Sequence, residues 1–341
     1  RDPQRTAPIT LEWHLSNRCN HDCPFCTFRE SVHGSPQRGA IFPEDLVIPL
    51  VTDLKALKVK AVVYSGGGEP LLYPRVAHVL QAVKEAGIRQ GLITNGAKIE
   101  QPEIAQVILE TCDWVRISID AGSDEIYKLT HGRACDFQKT LDAIKALAKR
   151  RDERRISKPR LGVSFLLTML NYRDLLPSAR LFRDIGVDYF QVKPIVISAE
   201  ERLASGNIFW RKEIFDQLLA LPAQSVKPHY TVYTLGFKFV DMMKAVYEKP
   251  FRRCHGHPFY PVVTATAEVY VCCLMIGNNE LCYGKIRNDF GFKALWLTAN
   301  RQNIGKDVDV KACPVNCKLS ETNKVLEQIL GKEYQDSDFL N

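Results

Sequence analysis

Three cysteines, Cys19, Cys23 and Cys26, stand in the run CNHDCPFC just past the apolar segment Thr10–Leu15. Three thiolates can hold three corners of a cubane [4Fe-4S] cluster, which ordinarily takes four cysteine ligands, and so leave one iron without a protein ligand. An iron of that kind is open to a small molecule, so chemistry at the cluster is the first expectation. Spacing alone does not choose the metal, because short cysteine clusters also bind zinc or ferredoxin-type centres.

A second strand-like run, Val59–Ser65, leads directly into Gly66-Gly67-Gly68-Glu69-Pro70. Glycines let a backbone approach a ligand closely, and their carbonyls can accept hydrogen bonds from an ammonium group. An aromatic between the second and third cysteines, Phe25, can lie on a nucleobase. Together the two motifs resemble the radical S-adenosylmethionine (SAM) superfamily, whose cysteine motif is CxxxCxΦC with Φ aromatic and whose second strand ends in GGEP. The resemblance implies a SAM-binding cluster on Cys19, Cys23 and Cys26, with Phe25 on the adenine. It places Gly66, Gly67 and Gly68 around the SAM ammonium, and Glu69 nearby. By the same likeness Ser118 and Asp120 contact the SAM ribose, and Thr94, Asn95 and Gly96 end the third strand in the family's TNG form. Arg133, in the loop HGRAC, is the candidate for the SAM carboxylate. The competing reading is a zinc knuckle followed by an unrelated glycine turn.

These residues need a scaffold, and the chain supplies alternating strand-like and helical patterns. The strands expected are Thr10–Leu15, Val59–Ser65, Ile88–Thr94, Trp114–Ile119, Arg160–Thr168 and Val187–Lys193. Helical patterns fall at Pro43–Lys58, with Leu46, Leu50, Leu54 and Leu57 on one face, and at Arg75–Ala86, Gln101–Glu110, Phe137–Lys149 and Asn171–Ile185. Repeated βα order implies parallel strands with right-handed crossovers. The fold class expected is therefore α/β, an open, partial (β/α)6 barrel, as the resemblance also implies. Strand alternation turns Leu11, Trp13, Leu15, Val115, Ile117 and Ile119 outward. It leaves Glu12, His14, Arg116, Ser118 and Asp120 inward, and puts Tyr189, Gln191 and Lys193 on one face. Glu12 and Lys193 are the candidate polar catalytic residues of that lumen, which suits a substrate bearing hydroxyl or amine groups.

Beyond about residue 240 the βα rhythm stops. Cys254, a hairpin-like stretch Pro261–Cys272, a helical segment Phe290–Asn300 and the pair Cys313 and Cys317 follow. Four cysteines from separated segments can enclose a cluster completely and give it an electron-transfer role, with zinc the competitor. This part resembles the twitch domain, the shortened SPASM extension of some radical SAM enzymes. Ala267 stands where glycine is usual, and the distal pair is CxxxC rather than CxxC. The resemblance implies an auxiliary [4Fe-4S] cluster on Cys254, Cys272, Cys313 and Cys317. The division expected is a barrel over 1–240 and a small β-hairpin/helix iron–sulfur domain over 241–341. Of the remaining thiols, Cys112 reads as a buried small hydrophobe. Cys135, Cys273 and Cys282 are the candidate hydrogen donors.

Composition bounds the function. The chain has 341 residues, 45% of them hydrophobic, and 11 cysteines. It shows no apolar run of membrane-spanning length and no secretory pattern at its start, so a reducing cytoplasm and no membrane partner are expected. Net charge is +7, and Lys145–Arg160 carries eight basic residues against Asp152 and Glu153. That run reads as a solvated helix end away from the site, and a nucleic-acid partner ranks low. The function expected is oxidation of a sugar- or aminocyclitol-type small molecule, with a flavodoxin or ferredoxin as electron donor. Epimerisation by a cysteine hydrogen donor comes next. Peptide modification ranks lower because no leader-binding domain precedes the barrel in this sequence. A non-catalytic iron–sulfur scaffold has no use for the GGGEP turn.

Overall fold

The computed structural model describes residues 7–195, 211–225, 229–244, 248–298, 304, 308–315 and 317–330. Its strands are β1 Thr10–Trp13, β2 Ala61–Tyr64, β3 Arg89–Thr94, β4 Trp114–Ser118, β5 Arg160–Leu167, β6 Tyr189–Pro194, β7 Thr231–Thr234, β8 Val262–Val263, β9 Glu268–Tyr270 and β10 Cys282–Lys285. The helices are α1 Val47–Ala56, α2 Val76–Glu85, α3 Pro102–Thr111, α4 Asp124–His131, α5 Phe137–Glu153, α6 Leu175–Ile185, α7 Lys212–Ala220, α8 Gly236–Met243, α9 Phe292–Trp296 and α10 Ser320–Leu330. The six expected strands all form, and β7 adds a seventh parallel strand beside β6.

One sheet holds all ten strands in the order β10-β9-β8-β1-β2-β3-β4-β5-β6-β7. It is mostly parallel and does not close. The hairpin-like stretch does not stand apart from it: β8 pairs in parallel with β1, matching Glu12 to Val262 and Trp13 to Val263, before β9 and β10 turn back antiparallel. The expected boundary near residue 240 thus falls inside α8, and the sheet continues past it.

The outer face of the sheet is apolar, as alternation requires. Leu11, Trp13, Val115 and Ile117 are fully buried, and Trp13 packs edge-on to Phe42 at 5.0 Å. In α1 the buried face is Val47, Leu50, Val51 and Leu54. Leu46, at the end of the 3-10 turn Glu44–Leu46 that precedes the helix, is buried with them, and Leu57 packs half-buried against the core, so the expected leucine stripe faces inward. Helix α4 has no counterpart in the expected helices. Its signal is Ser123, which caps the helix by accepting from Ile126 N–H, followed by Asp124 and Glu125 in the first turn.

The inner face is floored by aromatic rings laid over glycines on neighbouring strands. Trp114 lies on Gly91 and Tyr189 on Gly162, so that an added Cβ would meet the rings at 2.1 and 2.0 Å. The basic run Lys145–Arg160 sits at the opposite, N-terminal edge of the sheet. There it is more than a solvated end, because the buried Arg151 pairs with Asp188 just before β6. Gly162→Ala is expected to displace Tyr189 from the floor and destabilise the fold by about 1–3 kcal/mol. A lowered Tm by calorimetry checks this.

Candidate functional site

The turns that follow β1, β2 and β3 emerge on one edge of the sheet, where open α/β folds bind ligands. The cysteine loop leaves β1 and is fastened before it reaches Cys19. Asn17 N–H donates to Ala40 O at 2.8 Å, and Arg18 O accepts from Glu69 N–H at 2.8 Å. Gly67 and Gly68 permit this approach: an added Cβ would stand 2.1 Å from Asn17 Oδ1 and 2.2 Å from Arg18 O, respectively. At Gly66 the neighbour is the Phe28 ring, 3.3 Å from the site of a Cβ. Phe28 also meets His14 edge-on at 5.3 Å. Phe25 is half-buried in the loop, and Phe28, which the motif spacing does not single out, is the aromatic in contact with the glycine turn.

Glu69 is buried and fully engaged. Its Oε1 accepts from Thr94 Oγ1 at 2.6 Å and from Leu71 N–H at 3.1 Å, while Oε2 accepts from Asn95 N–H at 2.7 Å. Burial raises its carboxyl above the usual range, against the pull of those donors. The side chain braces the ends of β2 and β3. Asn95 Nδ2 then donates to Asn20 Oδ1 at 2.8 Å and ties the cysteine loop to the TNG turn.

Cys19, Cys23 and Cys26 line one cavity of about 1090 Å³, which Arg133 and Cys135 also line. Burial pushes all three thiols up, Cys19 to about 11. Metal binding must therefore displace their protons. Arg133 is exposed, and Ser118 is half-buried at the end of β4. Cys135 is buried and donates to His131 O at 3.2 Å.

His131, at the end of α4, was not among the expected site residues. Asp120 N–H donates to its Nε2 at 3.1 Å, so Nε2 is the acceptor and the proton sits on Nδ1. That Nδ1 lies 3.4 Å from Cys23 Sγ. Burial lowers the imidazole to about 3, with His21 adding to the effect, so the ring is neutral at working pH. Its 3.6 Å approach to Asp120 Oδ2 is accordingly no ion pair. Asp120 is buried too, which raises its carboxyl to about 7 while Leu166 N–H holds Oδ1 at 2.6 Å.

The second cysteine group gathers around Cys317, with Cys254, Cys272 and Cys313 each within electrostatic reach of it. Leu319 N–H donates to Cys317 Sγ at 3.4 Å and Asn323 Nδ2 to Cys254 Sγ at 3.5 Å. Between the two groups lies the lumen. Glu12 is buried there, paired with Lys318 and 2.9 Å from His14 Nε2. Burial alone would raise this carboxyl, but Lys318 and His14 outweigh it and hold it far below the usual range. Lys318, directly after Cys317, was missed because nothing in the sequence joins it to Glu12. Cys273 lies beside this pair, whereas Cys282 donates to Gly284 O at 3.6 Å near Tyr270. The three spare thiols thus occupy three separate places. Burial lowers the Lys193 amine to about 7, with Arg116 and Lys238 adding to it.

Residues 13–182 match the family model of the Radical SAM superfamily. The chain is 31% identical over 240 residues to a "Probable GTP 3',8-cyclase" of Methanocaldococcus jannaschii, covering 69% of this chain and 76% of that protein. It is 29% identical over 196 residues to the "Tungsten-containing aldehyde ferredoxin oxidoreductase cofactor-modifying protein" of Pyrococcus furiosus, covering 57% of this chain and 53% of that relative, about half its length. Among solved structures, SuiB of Streptococcus suis bound to S-adenosylmethionine shares the fold with a TM-score of 0.65 at 13% identity, over 88% of this chain and 68% of that one. A match that begins at the last residue of β1 and ends inside α6 takes in the cysteine loop, the glycine turn and the TNG turn together: this chain belongs to the radical SAM superfamily, whose cofactors are a [4Fe-4S] cluster and S-adenosylmethionine.

Proposed function

We propose that the protein takes a hydrogen atom from a C–H bond of a polar small molecule, of sugar or aminocyclitol type, and releases an oxidised product. The observation that carries this reading is a chain of hydrogen-bonded and charged side chains that links the two cysteine groups. Lys193 lies within electrostatic reach of Asp120 on one side and Cys273 on the other. Asp120 leads through His131 to Cys23, and Cys273 leads to Cys317.

Bound at the three-cysteine cluster and reduced through a flavodoxin- or ferredoxin-type donor, SAM supplies a 5′-deoxyadenosyl radical able to take hydrogen from an unactivated C–H bond. Cys19, Cys23 and Cys26 would hold that cluster, with the Gly66–Gly68 backbone, Ser118 and Arg133 around SAM. Cys254, Cys272, Cys313 and Cys317 would hold a second cluster, which would supply an electron acceptor. The donor sets are consistent with that assignment, with three thiols of one loop lining a single cavity and three further thiols in electrostatic reach of Cys317, all of the ligand type that iron–sulfur clusters take.

Loss of a hydrogen atom from a carbinol carbon leaves one electron and the hydroxyl proton to be removed. Lys193 Nζ, about half neutral near pH 7, takes the proton. Glu12 is too firmly ionised by Lys318 to do so and serves to hold the lumen's shape. A second reading, epimerisation, is favoured by one observation. Burial pushes the Cys273 thiol up to about 11, which keeps its S–H intact beside Glu12. It would give a hydrogen atom to the opposite face of the substrate carbon, and one electron and one proton from the reductant and solvent would restore the thiol.

Anaerobic reconstitution tests the reading. The expected result is about eight iron atoms per chain, reductant-dependent 5′-deoxyadenosine, and a product without solvent deuterium. Deuterium incorporation that Cys273→Ala abolishes would establish epimerisation, and a zinc-filled, SAM-inert protein would remove both readings.

Turnover should rise with pH through about 7 as Lys193 loses its proton. Lys193→Arg, protonated throughout, should flatten that profile and lower kcat by about 10²–10⁴. Steady-state rates across pH check it. His131 should raise the potential of the cluster by donating to Cys23 Sγ. His131→Phe is expected to shift the midpoint potential downward in an EPR-monitored redox titration, with iron content unchanged.

A further inference from the structure

The lumen carries more positive charge than the reaction above uses. Arg116 of β4 rests on the Trp114 ring, its guanidinium carbon 5.3 Å from the ring centroid. Its Nη1 donates to the neutral Gln191 Oε1 at 2.8 Å, and its Nε is buried without a hydrogen-bond partner. Lys238 reaches the same space from α8, which packs on β6. Burial lowers the Lys193 and Lys238 amines, and Arg116 repels both. Lys318 is different, because Glu12 neutralises it. Among the described residues, Arg116, Lys193 and Lys238 have no acidic hydrogen-bond or ion-pair partner. The other titratable groups facing them are Asp120, Tyr189, Tyr260, Cys273 and Cys317.

Converging half-buried cations repel one another until an opposite charge joins them. The guanidinium edge left open at Arg116 is a planar donor of the sort that phosphate and carboxylate oxygens match. We infer that Arg116 and Lys238 form an anion subsite, so that the substrate of this lumen carries a phosphate or carboxylate group, leaving Lys193 for the proton. The inference rests on the small-molecule reading above and narrows it: phosphorylated or carboxylated sugars fit the field, whereas a free aminocyclitol, cationic at neutral pH, is repelled by it.

The test uses the anaerobically reconstituted full chain, titrated by calorimetry with pyrophosphate in one arm and malonate in the other. SAM affinity and 5′-deoxyadenosine formation are measured on the same samples. One probe is expected to bind below millimolar concentration, and the arm that binds names the anion. Arg116→Met and Lys238→Met should each weaken it by about tenfold or more, with Arg116→Lys retaining most of the affinity and SAM binding unchanged within about twofold. Failure of both probes to bind, or binding indifferent to both substitutions, overturns the subsite and leaves the cations to the nearby thiolates. An equal loss of SAM affinity in Arg116→Met overturns it too, because the anion is then the SAM carboxylate. If a probe binds as expected while no 5′-deoxyadenosine forms, the enzymatic reading fails and the subsite stands.

Discussion

The site depends on a backbone contact that no side chain could occupy. At Gly68 an added Cβ would lie 2.2 Å from Arg18 O, and at Gly67 2.1 Å from Asn17 Oδ1. The glycines bring the end of β2 against the start of the cysteine loop, and Glu69 N–H closes the contact by donating to Arg18 O. From there the Glu69 carboxylate reaches Thr94 and Asn95, and Asn95 reaches back to Asn20. The ends of three strands and the loop carrying Cys19, Cys23 and Cys26 are held as one unit. The donors to Glu69 meet a buried carboxylate, so loss of any one of them leaves a group desolvated and unpaired, at about 1–3 kcal/mol. Rigidity of this kind is what a cluster held by three side chains requires, since no fourth protein ligand constrains it.

A second constraint comes from burying charge. The chain resolves it in one place and leaves it open in another. Glu12 and Lys318 neutralise each other, with Lys318 4.0 Å from the Tyr260 ring centroid as a further partner. The pair joins β1, which leads to the first cysteine group, to the residue after Cys317 in the second. Across the same lumen Arg116 and Lys238 face each other without such relief. One buried pair fixes the frame, and the unbalanced pair supplies the attraction for a ligand.

Much of this was legible in the residue pattern, and what was missed has physical causes. Period-two alternation sorted Leu11, Trp13, Val115 and Ile117 to the outer face correctly, because one face of each strand meets helices and the other does not. The cysteine spacing and the GGGEP turn marked the site because each residue type there answers a local demand. Lys318 and His131 answer demands set 306 and 108 residues away, at Glu12 and Cys23. Single-sequence spacing holds no record of such pairings. The role of Glu69 escaped for the same reason: its partners, Thr94 and Asn95, come from the next strand.

The continuity of the sheet ties the hairpin after Cys254 to the strand that leads into the first cysteine group. Strand β8 lies beside β1 in parallel register, so residues after Cys254 are placed by the same hydrogen bonds that place Glu12. The segment then turns through β9 into Cys272 and Cys273, delivering one thiol to the Cys317 group and the next toward Glu12. A separately folded module joined by a linker would have to dock to achieve this, and docking carries its own entropic cost. Shared strand pairing removes that step for the hairpin, so Cys272 and Cys273, which follow β9, are placed by the sheet that also carries Glu12.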